Sequence, residues 1–486
     1  MRYSAQRFGT WEWLDLELPL DTEGPEWVLS SYGIMYGVVS PDLGLLKAED
    51  GRPVLEEWGT LIHAEAGEGE TSRRWTGIVT RSELSGKEWS VTVSEFPGYL
   101  QGTPIETLIR GVNADPATLF RQVWQDVQSM PNSWMNVNVH GSTPVRIGTD
   151  SDDKAAIARS YMDGRKQTLD SLSETKTEKT AELQGATATL ADEVSLARAQ
   201  VTSAQNSVNL LIQSGATPAQ IAAARAVVAT RQATLTSVQA TYTSETNARN
   251  QALALAKADR DSAQTAYDEA RTAYDAARDK AREDGGAYEI RPEDVPDALE
   301  SIKSLCDTAG IEWTTDTKYS EGIPTLSVTV HYPEAGTRRD DLVFEQGVNI
   351  ISELHLVRDG EEYANAAVGV GAGEGEESIR ASIASTSNRM RRVAVVEDRS
   401  LKTKNDLMAK MRADLAEKTG EPYVAEIEVV DHELAPIFSW NVGDRIMVSG
   451  EVPHYGYYSK LHRIVSWQLV NDNKALLRLK LSTTDT

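Results

Sequence analysis

Between Ser151 and Asp284 the apolar positions keep a fixed rhythm. Leu183, Thr187, Leu190, Val194, Ala197, Val201, Ala204, Val208 and Leu211 are spaced alternately four and three apart. A period of 3.5 residues holds such positions on one side of a helix, the seam of a coiled coil. Ser214-Gly215-Ala216-Thr217-Pro218 then interrupts the pattern. Gly215 suits the left-handed residue after a helix, Thr217 caps the next one and Pro218 fits its first turn. Ile221, Ala224, Val228, Leu235, Val238, Tyr242, Ala252, Ala256, Ala263, Ala266, Ala270, Ala273 and Ala277 resume the rhythm, interrupted by Arg231, Glu245, Arg249 and Asp259. Two antiparallel arms of about 60 residues each, at ~1.5 Å rise per residue, reach roughly 90 Å. A pair of helices lying against a globular body would need a wider apolar face than this seam. The pattern predicts a hairpin projecting from the rest of the chain.

Before it, the period changes to two. Leu14, Leu16, Leu18 and Leu20 alternate with Asp15, Glu17 and Pro19, predicting a strand with one apolar face. Further strands are expected at Trp27–Ser31, Ile34–Val39, Trp75–Arg81 and Trp89–Phe96, with glycine and proline between them. Short strands and frequent turns suggest a small barrel or sandwich. A helix follows, capped by Asp115, with Pro116 first and Leu119, Phe120, Val123, Trp124 and Val127 on its buried face.

After the hairpin, Asp294 to Gly310 reads as a short helix with Leu299, Ile302, Leu305, Cys306 and Ala309 inward. Leu326, Val328, Val330 and Tyr332 alternate as a half-buried strand, and Leu342 to Leu356 continues strand-like with a break at Gly347. Asn405 to Lys418 is a helix with Leu407, Met411 and Leu415 four apart. Val424–Val430, Arg445–Val448, Lys460–Val470 and Ala475–Leu481 are strands, the last two joined by a turn at Asn471-Asp472-Asn473-Lys474. The expected division is an N-terminal β-barrel and short helix over 1–150 and the hairpin insertion over 151–285, turning at 213–218. A central α/β segment over 286–420 and a C-terminal β-barrel over 421–486 complete it. The strands on either side of the insertion are expected to complete one body.

Composition narrows the chemistry. A net charge of −24 over 486 residues disfavours gripping nucleic acid by its phosphates. The single cysteine, Cys306, excludes an intrachain disulfide framework and a cysteine-cluster metal site. Its amphipathic setting makes it a buried small residue. Met1 to Trp13 lacks the basic-then-apolar pattern of a secretory signal, and no apolar run approaches the ~20 residues of a membrane span.

No catalytic, cofactor-binding or metal-binding residues are assigned. Gly369-Val370-Gly371-Ala372-Gly373-Glu374-Gly375 lacks the third glycine of the dinucleotide fingerprint in either register, and a flexible strand-to-loop transition accounts for it. Asp150, Asp152 and Asp153 open like a calcium loop, but Ala155 and Tyr161 stand where its glycine and glutamate belong. Carboxylates at a helix start are explained by the helix dipole. The seven histidines, His63, His140, His331, His355, His432, His454 and His462, form no helical zinc pair. His454 and His462, near Tyr455, Tyr457 and Tyr458, are candidates for one shared surface, although satisfied structural histidines are the favoured reading. Glu65, Glu68 and Glu70 in a glycine-rich turn are the candidate carboxylates for glycoside cleavage, which requires a geometry that sequence does not specify. Eleven tryptophans raise sugar binding, although strand tryptophans more often fill cores or interfaces.

Several segments together resemble a known family. Trp75-Thr-Gly-Ile-Val-Thr80, Trp89-Ser-Val-Thr-Val-Ser94 and Phe96-Pro-Gly-Tyr-Leu100 resemble the first barrel of siphophage tail-tip hub proteins, the minor tail proteins of actinobacteriophages. In that family such a strand pair leads into a short helix, here Asp115–Ser129. Phe344 to Glu353 and Ala364 to Gly375 resemble its central segment. Trp440-Asn-Val-Gly-Asp-Arg445 and Arg463-Ile-Val-Ser-Trp467 resemble its final barrel. The resemblance covers most of the chain outside the hairpin, which departs from the minimal family pattern.

The resemblance implies an α+β protein, a β-barrel-rich hub body with two related barrels and small α/β parts, interrupted by the coiled-coil hairpin. Such hubs are similar to the baseplate hubs of contractile phages. It implies a homotrimer at the virion tail tip, assembled in the host cytoplasm, that closes the tail tube and contacts the tape measure, distal tail and other tip proteins. DNA then passes without specific binding, and an acidic wall would limit sticking. No enzyme activity and no cofactor are implied. The second reading is a cell-wall-binding or cell-wall-degrading tail protein carrying a helical stalk. Against its lytic form, the final strand Ala475–Leu481 and the short tail after it are expected to leave no room for an added domain.

Overall fold

The structure, a computed structural model, describes all residues except 68–71, 321–322, 359, 361–362, 373–377, 399–400, 402, 419, 421, 472–475 and 484–486. It is a mixed helix and sheet protein with a long helical hairpin. The chain divides into two compact units: Met1–Asp150 together with Glu283–Thr486, and Ser151–Arg282.

The hairpin consists of helices Ser151–Gln213 and Pro218–Asp284. Each seam position from Leu183 to Leu211 is buried or half-buried, with Leu190, Ala197 and Val208 most covered. In the second arm Leu235, Ala256 and Ala270 are buried. Ala273 differs from expectation: it is exposed, and Tyr274 is half-covered beside it. Arg231 Nη1 donates to Gln200 Oε1 at 3.1 Å, pairing positions equidistant from the turn, so the arms run antiparallel. At that turn Gly215 has φ +76°, and the N–H groups of Ala216 and Gly215 close on the carbonyls of Leu211 and Ile212. This is a Schellman stop. Thr217 N–H donates to Gln220 Oε1 while Gln220 N–H donates to Thr217 Oγ1, a reciprocal capping box. Both helix ends at the turn are therefore chemically finished.

The other unit is built on two sheets. The N-terminal one is antiparallel, with strands in the order Trp13–Asp15, Arg2–Arg7, Thr60–Ala66, Arg73–Ser85, Glu88–Glu95, Ile34–Val39, Asp21–Thr22. The C-terminal one orders Phe344–Glu345, Arg445–Val452, Gly456–Asn471, Leu476–Thr483, Glu426–Val430. Glu26–Val28, from the N-terminal segment, pairs with Gly456–Asn471 through Trp27 opposite Trp467. One apolar core runs through both sheets and includes Met35, Trp75 and Val93 from the first and Ile446, Trp467 and Leu479 from the second. A second core packs helices Pro116–Ser129 and Ala298–Ala309 with strands Val137–His140, Glu312–Ser320 and Ile323–His331. A third, small core lies between helix Lys404–Glu417 and the strands Ala366–Val370, Arg380–Ala384 and Val393–Glu397.

The helix over Pro116–Ser129 begins as its sequence dictates, with the Asp115 carboxylate accepting from Ala117 N–H. Four segments differ from expectation. Leu14 to Leu20 is not one strand: pairing stops at Asp15, Leu20 N–H turns back to the Leu18 carbonyl, and Leu16 is exposed while Leu18 is buried. Pro19, with no N–H to donate, fits that break. Trp27–Ser31 is shorter, ending at Val28 before Ser30 takes φ +52°. The helix expected from Asp294 starts at Ala298, because Val295 adopts φ +49° and the Asp297 carboxylate caps Glu300 N–H. Leu342 to Leu356 holds only the two-residue strand Phe344–Glu345 before Leu356 opens another. The buried Asn349 side chain accepts from Glu345 N–H and donates to the Val343 carbonyl, taking backbone bonds that a strand would use. The expected turn at Asn471–Lys474 falls largely outside the described residues.

Candidate functional site

The residues flagged by their chemistry are dispersed. Glu65 is held between Arg2 and Arg74 at 2.6 and 2.8 Å, while Glu68 and Glu70 lie outside the described residues. Gly369 lies in strand Ala366–Val370, where a Cβ would approach Met411 Sδ to 2.6 Å and Leu407 Cδ1 to 2.8 Å. That glycine lets a helix lie close to a sheet; Gly373 to Gly375 fall outside the described residues. Asp152 and Asp153 occupy the first turn of the hairpin's first helix. Among the described residues no group of three or more histidine, cysteine, aspartate or glutamate side chains is placed to hold a metal ion. Cys306 is buried, and burial pushes its thiol up to about 12, so the reactive thiolate is suppressed.

The histidines do not converge. His63 is 1% exposed and bonds Thr76 Oγ1 at 2.9 Å and Gln6 Oε1 at 3.1 Å. Burial lowers it to about 3, so it is neutral near neutral pH. His462 is likewise buried, lowered to about 4 by burial, and bonds the Tyr458 hydroxyl at 2.8 Å. His454 instead is exposed in the turn between strands at φ +66°. His454 and His462 therefore share no surface, and His462 is a satisfied structural histidine: alternation along the strand turns Tyr458 and His462 inward and leaves Tyr455 and Tyr457 outside.

What the structure does bring together is a polar junction between the two sheets. A cleft of about 510 Å³ is lined by Trp27, Arg73, Thr314, His331, Asn441 and Asp444, among others. Arg73 Nη2 donates to the Phe438 carbonyl at 2.7 Å and to Asn441 Oδ1 at 3.0 Å. The Asp444 carboxylate accepts from Thr337 N–H at 2.8 Å and Asn441 N–H at 2.9 Å. Arg463 donates to the Glu312 carboxylate from both Nη1 and Nη2, and Glu26 Oε1 accepts from Ser466 Oγ and Lys480 Nζ at 2.8 and 2.9 Å. Burial lowers His331, whose Nε2 bonds Thr314 Oγ1 at 2.8 Å. Charges matched in this way join segments; they do not pair a nucleophile with a base.

Beside this junction lies Glu95, 2% exposed, accepting from Gly33 N–H at 2.9 Å and Thr315 Oγ1 at 2.6 Å. Burial pushes its carboxyl up to about 7. Sequence reasoning missed it, although a signal existed: Val91 and Val93 point inward, and alternation carries Glu95 to the same face.

Trp27, Trp75, Trp124, Trp313, Trp440 and Trp467 are buried. Trp58 and Trp134 are each 52% exposed, and Trp11 stands edge-on to Trp134 with ring centroids 5.7 Å apart.

No protein-family model matches the chain, and no curated protein does. The solved structures to which it is similar include tail proteins. The prophage tail protein gp18 from Listeria monocytogenes aligns at 8% identity and a TM-score of 0.45, covering 100% of this chain and 95% of that one. The 43 kDa tail protein of prophage MuSo2 from Shewanella oneidensis aligns at 10% identity and a TM-score of 0.47, over 99% and 98%. A tail protein from Neisseria meningitidis aligns at 8% identity and a TM-score of 0.45, over 99% and 97%.

Proposed function

We propose that this chain is a structural phage tail protein, the subunit of a trimeric ring at the tail tip of a siphophage. The observation that carries this reading is the meeting of Trp75, Trp440 and Trp467 in one buried core. These residues belong to the first and last segments that resemble tail-tip hubs, and a single hub body requires those segments to join. In this reading the two sheets correspond to two related barrels, and the hairpin is an antiparallel coiled coil inserted between them. The ring closes the tail tube, contacts the tape measure, distal tail and other tip proteins, and opens for DNA. The chain's net charge of −24 suits a passage to which DNA does not adhere. A map of the virion tail tip tests the proposal: three copies around the tail axis are expected. A purified chain that stays monomeric and is missing from virion tips overturns it.

The half-exposed Trp58 and Trp134 favour a second reading, binding of cell-wall glycan through aromatic faces. Quenching of tryptophan fluorescence by host wall fragments, lost in Trp58→Ala and Trp134→Ala, supports it; an unchanged spectrum excludes it.

A further inference from the structure

The small sheet of Ala366–Val370, Arg380–Ala384 and Val393–Glu397 carries helix Lys404–Glu417 on one face, and Val393–Glu397 is one of its edges. Among the described residues no strand pairs with the outer side of that edge. The Arg392 carbonyl accepts from Ala366 N–H at 3.0 Å, and Asp398 N–H donates to the Val370 carbonyl at 3.0 Å. Alternate residues of a parallel strand bond to the same neighbour, so Ala394 and Val396 also turn their backbone groups toward Ala366–Val370. Val393 and Val395 turn theirs outward, where they meet no partner among the described residues. Their side chains stand on the face away from the helix and are 41% and 74% exposed. Edges of sheets are commonly blocked by charge or proline, and Val393 to Val396 has neither.

Positive charge borders this edge. From Ser378 to Val396 there are four arginines and no acidic residue. Arg391, just before the strand, is exposed and its guanidinium has no ion pair among the described residues. Arg412 of the helix is likewise exposed and unpaired. With Arg389 it lines a groove of about 560 Å³ at the end of the sheet where Ala366–Val370 begins. The buried Asn365 fixes that end: its Oδ1 accepts from Arg392 N–H at 2.8 Å, and its Nδ2 donates to the Met390 carbonyl at 3.2 Å. The arginine-bearing turn is therefore held in place beside the open edge before anything binds.

We propose that Val393–Glu397 receives an extended acidic segment of a partner protein, which joins the sheet as a further strand. Strand addition supplies the hydrogen bonds that Val393 and Val395 lack, and alternate side chains set its specificity. Charge selects the occupant. The span from Ala364 to Lys418 has 10 basic and 8 acidic residues, whereas the remainder of the chain carries a net charge of −26. Arginines gathered in an otherwise acidic protein match a carboxylate-bearing partner and steer its approach. Nucleic acid is a poorer match, because its phosphates use no strand edge and the acidic remainder repels them. A second copy of this strand would bring the same arginines, and its Asp398 is already held by its own Lys410 at 2.7 Å. The inference rests on the small sheet alone and stands whether or not the chain forms a ring.

Fluorescence anisotropy of the full chain tests it. The probe is a dye-labelled peptide of alternating valine and threonine, flanked on both sides by paired glutamates. It should bind at least about tenfold more tightly than its lysine-flanked counterpart. Arg391→Glu with Arg392→Glu should reverse that preference, a gain that a misfolded variant would not show. Val395→Pro removes an outward N–H and leaves the bonds to Ala366–Val370 in place. It should weaken binding of the glutamate peptide by about tenfold or more. Equal binding of the two peptides, no binding of the glutamate peptide at about 1 mM, or unchanged affinity in Val395→Pro overturns the proposal. So does binding of labelled oligothymidylate in place of the peptide, which would make the arginines a phosphate site. Self-association of the chain that Val395→Pro abolishes also overturns it, because a second copy would then be the occupant.

Discussion

Trp27 and Trp467 stack face to face, with ring centroids 4.0 Å apart and planes 10° from parallel. They sit opposite each other where Glu26–Val28 pairs with Gly456–Asn471. Phe438 and Trp440 close around Trp467 at 5.7 and 5.6 Å. Residues 440 positions apart thus meet at one aromatic cluster, reinforced at its edge by Ser466 donating to Glu26. The strands Glu26–Val28 and Gly456–Asn471 are held by packing and hydrogen bonding at the same place.

Trp467→Ala should be among the most destabilising substitutions. The ring is 2% exposed, and truncating a buried tryptophan costs about 3–5 kcal/mol. Trp134→Ala, at a half-exposed ring, should cost much less. Denaturant midpoints of the two variants check the ordering; equal shifts would show that the stack does not hold the sheets together.

Glu95 should make stability fall as pH rises toward neutrality. Its folded carboxyl titrates at about 7, against an ordinary value of 4.5. Between those values the folded chain holds a proton that the unfolded chain releases, so stability declines through the window and levels off above 7. A gap of this size is worth on the order of 3 kcal/mol. Glu95→Gln has no such proton and keeps an acceptor for Gly33. Relative to wild type it should gain stability from about pH 5 to about pH 8, as read by urea midpoints. A difference independent of pH would refute the assignment.

His63 and His462 act in the opposite direction at lower pH. Their folded values of about 3 and about 4 lie below the ordinary 6.5. The stability of their neutral forms is complete above 6.5 and is lost as pH falls toward the folded values. Together they give a slope of up to about 2.7 kcal/mol per pH unit below 6, against which Glu95 sets one proton down to about 4.5. His63→Gln with His462→Gln should flatten the acid limb of the stability curve. An unchanged limb would place acid sensitivity elsewhere.

The hairpin was legible because its signals are local. Alternating spacing set the seam, and Gly215, Thr217 and Pro218 set the turn within one or two residues. The strand at Trp89 was legible for the same reason, since Trp89, Val91 and Val93 alternate with Ser90, Thr92 and Ser94. The strand at Trp75, by contrast, is buried without alternation from Trp75 to Val79 and was marked by its aromatic and β-branched residues. The polar junction was not legible. Arg73 and Asn441, or Glu312 and Arg463, are far apart in sequence, and nothing local marks their partners. Leu14 to Leu20 misled because its alternation is sound while Pro19 and the Leu18 turn decide the backbone. Asn349 misled in the same way: a side chain claimed the hydrogen bonds that the apolar pattern assigned to a strand.

Gly369→Ala separates packing from ligand chemistry at the glycine-rich segment. The new methyl group would press on Met411 and Leu407, which are fully buried. Overpacking of this kind costs about 1–3 kcal/mol. Met411→Ala should recover part of the loss by opening space. Recovery in a thermal melt supports the packing role; a variant of wild-type stability would remove it.

Replacing Ala155–Arg282 by a short flexible linker should leave a folded two-sheet body. The two places where the chain leaves and re-enters that body are already tied together without the hairpin. Thr149 N–H donates to the Gly286 carbonyl at 2.7 Å, and Thr149 Oγ1 donates to Asp284 Oδ1 at 2.9 Å. Just beyond them, Ile109–Gly111 pairs antiparallel with Tyr288–Ile290, and Arg110 meets Glu289 at 3.0 Å. A linker of a few residues therefore closes a gap that the body itself sets, and loop-closure entropy changes slowly with loop length. The apolar cores at Trp467 and at Trp124 contain no residue from the deleted segment. The shortened protein should melt cooperatively, with near-ultraviolet dichroism of its tryptophans retained and helical signal reduced. Loss of that tryptophan signal would mean that the hairpin is needed to fold the body, and the division of the chain into these two units would fail.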